Sequence, residues 1–149
     1  MTTLLLALTL GAPAPKVDAK PPADDHPLIG EWVVESEIYS GKPKNVARRA
    51  GVILTSDRWK IKIKGETESC LSVDPRKDPP TIDVWVPAQG DEEESKSRCK
   101  GIYKLEGDTL TICYSYKDRP TKFESPAKSE IWLMKLKRVK KDVEPGEKK

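Results

Sequence analysis

Residues 58–65 read RWKIKIKG. Wound as a helix, at about 100° per residue, Ile61 would lie on the opposite side from Trp59 and Ile63, splitting the apolar set. Drawn out as a strand, they share one side while Arg58, Lys60, Lys62 and Lys64 share the other. Such a run folds only by laying its dry side against other strands. The period recurs along the chain. GEWVVESEIY (30–39) sets Trp32, Val34 and Ile38 against Glu31, Glu35 and Glu37, and GVILTS follows it. ESCLSVD aligns Leu71 with Val73, and TIDVWV (81–86) stops at Pro87. GIYKLEGDTLTICY (101–114) doubles back at Gly107, a hairpin turn residue, and EIWLMKLKR (130–138) ends the series.

These are eight short strand segments with turn residues between them, and no window holds a helical period. That pattern predicts an all-β fold, an up-and-down barrel or a sandwich. Successive antiparallel strands alternate in direction, so in a meander of eight the start of the first and the end of the last lie at one end. Those positions hold Gly30-Glu31-Trp32 and Lys137-Arg138. A guanidinium stacked on the Trp32 ring would close that end by a cation–π contact of ~1–2 kcal/mol if shielded from water.

Gly-x-Trp in the first strand and a basic residue late in the last resemble the lipocalin signature. LIGEW, GIYKLEGDTLTICY, RPTKF (119–123) and LMKLKR, taken in order, resemble an uncharacterised lipocalin-like domain family abundant in planctomycete bacteria. The resemblance covers residues 28–138. It implies a lipocalin-like eight-stranded antiparallel β-barrel in which Gly30, Trp32 and Arg138 are structural signature positions. Compared with typical lipocalins, the strands and loops are short and a charged tail stands in place of the C-terminal helix.

Outside the barrel, TLLLALTLGAPA and the VDA ending at Ala19 read as a signal peptide over residues 1–19. The apolar run is far shorter than the ~20 residues of a membrane-spanning helix. KPPADDHP (20–27) reads as a linker and 139–149 as a charged, disordered tail. The expectation is an exported protein, periplasmic or extracellular. The net charge of +3 is concentrated at the end, where residues 135–149 carry seven Lys or Arg against three Asp or Glu.

In the predicted meander the odd-numbered connections gather at the end opposite Trp32. They include SGKPKNVARR, PAQGDEEESKS and SYKDRPTKFESPAK. Loops gathered on a rigid scaffold are where binding usually resides, against the plain reading of solvated surface. Strand alternation offers Val34, Tyr103, Tyr114 and Trp132 as lumen-lining candidates, with Arg48 and Arg49 at the mouth. The three cysteines, Cys70, Cys99 and Cys113, leave three readings open: a Cys99–Cys113 disulfide, a Cys70–Cys99 disulfide, or buried small hydrophobes.

Enzyme chemistry has little to stand on. The one histidine, His26, lies in the linker, so a Ser or Cys nucleophile lacks its usual base. No Gly-rich phosphate loop, GxSxG or CxxC spacing occurs, and no metal or cofactor is expected. The lysine stripe of 60–64 has no aromatic on its own face for base stacking, and reads as an outer barrel wall rather than a nucleic-acid surface. The sequence thus predicts a monomeric, non-catalytic barrel that binds a small apolar or amphiphilic ligand at its mouth. The alternative is a protein-interaction or envelope-structural domain whose barrel is filled by side chains.

Overall fold

The computed structural model describes residues 26–45, 50–62, 66–87 and 98–140. They form nine strands and no helix: β1 (Gly30–Tyr39), β2 (Lys42–Pro43), β3 (Gly51–Leu54), β4 (Arg58–Lys62), β5 (Glu66–Asp74), β6 (Thr81–Trp85), β7 (Cys99–Glu106), β8 (Thr109–Ser115) and β9 (Trp132–Arg138). Each of β1 and β3 to β9 pairs antiparallel with the next, and β1 pairs with β9, closing an eight-stranded barrel consistent with a lipocalin-like one. Closure removes the unpaired edges that an open sheet would expose. The extra strand, β2, folds back along the far end of β1 through Ser40 and Gly41. Both turn residues have positive φ, at 49° and 76°, as a tight two-residue hairpin requires.

One end is sealed as the sequence predicts. Trp32 is fully buried, and the Arg138 guanidinium lies 4.1 Å from its ring centroid. Arg138 also donates to the carbonyls of Ile29 and Pro27, while the indole N–H of Trp32 donates to the Leu28 carbonyl. Gly30, at φ 141°, clears the way, because a Cβ there would stand 2.9 Å from an Arg138 nitrogen. The dry interior continues upward through Val52, Leu54, Leu110 and Leu136.

Two elements depart from simple alternation. In β1 the register shifts: Val34 pairs with Leu136, but Ser36 pairs with Lys135, leaving Glu35 as the extra residue of a bulge. Beyond it, Glu37 pairs with Met134 and Tyr39 with Trp132, residues on the inward side of β9. The expected inward Ile38 and outward Glu37 are therefore exchanged.

The second departure is the connection between β8 and β9. It does not crown the mouth but returns as a strap down the outer wall. Arg119 forms a two-pronged bond to Asp83, at 2.6 and 3.1 Å, and donates to the Gly101 carbonyl. Pro120 is buried, and the Cys113 thiol donates to the Glu124 carbonyl at 3.4 Å. The strap explains why β8 is dry on both faces, with Leu110 and Ile112 inside and Thr111, Cys113 and Ser115 outside all buried.

All three cysteines are free. Cys99 lines the lumen, whereas Cys113 faces the strap and Cys70, 2.9 Å from an Arg58 nitrogen, faces the outer wall. Thiols on opposite faces of a sheet cannot meet the geometry of a disulfide, and both expected pairings fail for that reason. Cys113 fits the remaining reading, a buried small hydrophobe.

Candidate functional site

The upper half of the barrel, away from Trp32, is not filled. A chamber of about 250 Å³ opens there, walled by Trp59, Ile61, Val84, Ile112, Tyr114 and Met134, with Ile82 beneath. The geometry of each strand sets this lining. Trp59 and Ile61 come from β4 and Val84 from β6, each by the period-two rule, and short Thr67 and Ser69 on β5 leave room opposite them. Gly101 also holds back volume, since a Cβ there would sit 3.0 Å from Cβ of Tyr114. The surface is mostly apolar, with the hydroxyls of Thr67, Ser69, Tyr114 and Tyr116 and the Cys99 thiol among its polar points. Burial pushes the Cys99 thiol up, against a hydrogen bond with Tyr116 that pulls it down.

Beside this chamber stands an aromatic row. The ring of Trp132 lies 4.3 Å from that of Tyr39 and 6.2 Å from that of Tyr114, nearly parallel to the latter. The Lys44 ammonium sits over the same row, 5.1 Å from the Tyr39 centroid and 5.9 Å from that of Trp132. Its place is fixed by the β1–β2 hairpin, because the Lys44 amide donates to the Glu37 carbonyl at 2.8 Å. The bulge brings the Glu37 side chain to this same inward face. Burial raises the Glu37 carboxyl above its ordinary value, opposed by the charge of Lys44. Burial also pushes the Tyr114 phenol far up, helped by the charge of Glu37. A half-buried carboxylate, an ammonium and three rings thus meet at the lip of an apolar chamber.

Of the residues proposed from sequence, Tyr114 lines the chamber and Trp132 stacks against it. Val34 and Tyr103 belong to the packed core lower in the barrel. Arg48 and Arg49 lie outside the described residues. Sequence reasoning missed Lys44 and Glu37 as a pair, together with Tyr39. Only the change of apolar parity between Val34 and Tyr39 hints at them. Outer-wall Lys60 pairs with Glu68 at 3.2 Å and points away from the chamber. His26 sits at the sealed end, where its Nδ1 accepts from the Leu28 amide. Among the described residues no group of three or more His, Cys, Asp and Glu could hold a metal ion, and no helix is long and apolar enough to cross a membrane. Set against family models, curated proteins and solved structures, the chain matches none.

Proposed function

We propose that this protein is an exported, non-catalytic barrel of the lipocalin-like family described above, which takes a small apolar or amphiphilic molecule into its upper chamber. The observation that carries the reading is the unfilled volume of about 250 Å³ behind a mostly apolar wall. An apolar cavity of ~150 Å³ already accepts a single-ring ligand, whereas drug-sized molecules need ~300 Å³ or more. The occupant is accordingly compact, a ring or a short chain. The seat of His26 in a turn at the opposite end supports a binding role rather than a catalytic one. Family membership is supported by the ordered motifs and by the closed barrel. Export rests on the first nineteen residues, which lie outside the described ones, and the unpaired thiols lend it nothing.

The test is titration with a neutral apolar fluorophore such as N-phenyl-1-naphthylamine. Saturable enhancement is expected, and Ile61→Trp, which fills the chamber, should abolish it. No saturable signal in the parent protein would overturn the binding reading in favour of an interaction domain, for which the exposed rim residues Val86 and Tyr116 are the first surface to consider. Export is tested separately. N-terminal sequencing from the native host should find a chain beginning near Lys20, and an intact Met1 or Thr2 would refute it.

A further inference from the structure

The lip of the chamber carries its own ammonium. Lys44 is solvent-exposed and long, so holding its side chain in one place costs rotamer freedom. It nonetheless rests within the range of a cation–π attraction over two rings at once. Electron-rich ring faces with a carboxylate nearby are what an organic cation needs, and Glu37 supplies the carboxylate. An anion at the same place would meet Glu37 as a like charge, and would face rings whose negative faces repel it. The seat also adjoins the apolar chamber directly. Tyr114 belongs to both, and Met134, the cross-strand partner of Glu37, is part of the chamber wall.

From this juxtaposition we infer that the barrel recognises an organic ammonium ion, a primary to quaternary amine carrying a compact apolar group, with Tyr39, Trp132 and Glu37 receiving the cation and Lys44 as the resident that it displaces. The inference rests on the binding reading above and narrows it to a ligand class. The hairpin geometry suits displacement. Lys44 is anchored through its backbone amide, so its side chain can swing away while β2 stays paired. The apolar group then enters the chamber and the cation remains at the lip, where water can still reach it and the desolvation cost is small.

The experiment uses the full chain and three probes of one shape class: benzyltrimethylammonium, its neutral isostere neopentylbenzene, and benzenesulfonate as an anion. Binding is followed by tryptophan fluorescence and calorimetry, and each variant is scored by the ratio of cation to neutral affinity. In the parent protein the cation should bind roughly tenfold more tightly than the neutral isostere. Lys44→Met empties the seat and should raise that ratio several-fold, whereas Glu37→Gln and Trp132→Leu should each lower it toward one. Equal affinity for cation and neutral probe, a preference for the anion, or a ratio indifferent to Lys44→Met would overturn the ammonium seat while leaving the chamber as a binding site. Failure of all three probes would instead overturn the chamber reading, and the seat with it.

Discussion

Each end of this barrel sets a cation over a tryptophan, and the two arrangements behave as opposites. At the sealed end Arg138 lies 4.1 Å from the centroid of a fully buried Trp32 and also donates to two backbone carbonyls. At the open end Lys44 lies 5.9 Å from the centroid of a partly exposed Trp132. A guanidinium is a planar fork that can stack and donate at once, whereas an ammonium is a strongly hydrated point charge on a flexible stem. The first arrangement is a lock, and the second, in the reading proposed above, is a stopper. The same pair of chemical groups gives rigidity or exchange according to burial and the number of fixed donors.

The contrast is most open to attack through the tryptophans themselves. Trp32→Ala should destabilise the fold by ~3–5 kcal/mol in urea denaturation, as a large core truncation. Trp132→Ala should cost only about 1 kcal/mol, near the average for point changes. Equal costs would erase the distinction between the ends, and an unchanged midpoint for Trp32→Ala would overturn the account of the sealed end. The cations should follow with smaller numbers. Arg138→Ala removes the guanidinium stacked on Trp32 and the donor to the Ile29 and Pro27 carbonyls, and should cost ~1–3 kcal/mol. Lys44→Ala should stay within about 0.5 kcal/mol, as exposed substitutions do.

A further prediction sharpens the comparison through pH. The Glu37 carboxyl titrates above 4.5 in the folded chain, so the folded state resists its ionisation. Stability from this group is whole below pH 4.5 and is lost as pH rises through the folded value. Lys44 opposes the shift, and the Tyr114 phenol stays protonated throughout this range. Glu37→Gln should therefore match the parent protein in acid and exceed it in thermal midpoint at neutral pH. A variant less stable at pH 7 would place the carboxylate in a supporting role instead. The smallest effect concerns the thiols. With its thiol pushed up to about 11 by burial, Cys113 should resist iodoacetamide in the native protein and react only on unfolding. Fast native labelling would mean that the strap does not cover it.

Much of the barrel was legible because each strand obeys one rule. RWKIKIKG has a single apolar face, and its observed partners, Ile61 opposite Val52 and Trp59 opposite Leu54, follow from that. The sealed end was legible because a meander of eight strands returns its last residue beside its first. The lip was not, because a one-residue bulge at Glu35 reverses every side chain after it and no residue type there requires a bulge. The strap was half legible. RPTKF stood out as a motif, but its long polar loop looked like solvated surface. The physical signal was elsewhere: Ile102 beside Tyr103 and Ile112 beside Cys113 put apolar side chains on both faces of neighbouring strands. Consecutive apolar residues mean that both sides are covered.

The strap that covers Cys113 also divides the molecule by how its amides exchange with solvent. Strand β8 is paired on both sides, to β7 and to β9, and roofed on both faces, so its amide hydrogens can exchange only when the whole chain opens. The hairpin bearing Lys44 is tied down more lightly. Its tip is held by the Gly41 amide on the Ser125 hydroxyl, the Ser40 amide on the Ile131 carbonyl, and the Glu130 amide on the Ser40 hydroxyl. Those bonds can open without disturbing the core, and deuterium should enter Tyr39–Lys44 long before it enters Thr111–Cys113. A guest at the proposed seat would thus draw on a separate, shallow reserve of free energy: it would shift the Lys44 side chain on a hairpin that stays paired, while the global unfolding equilibrium stays where the buried end has set it.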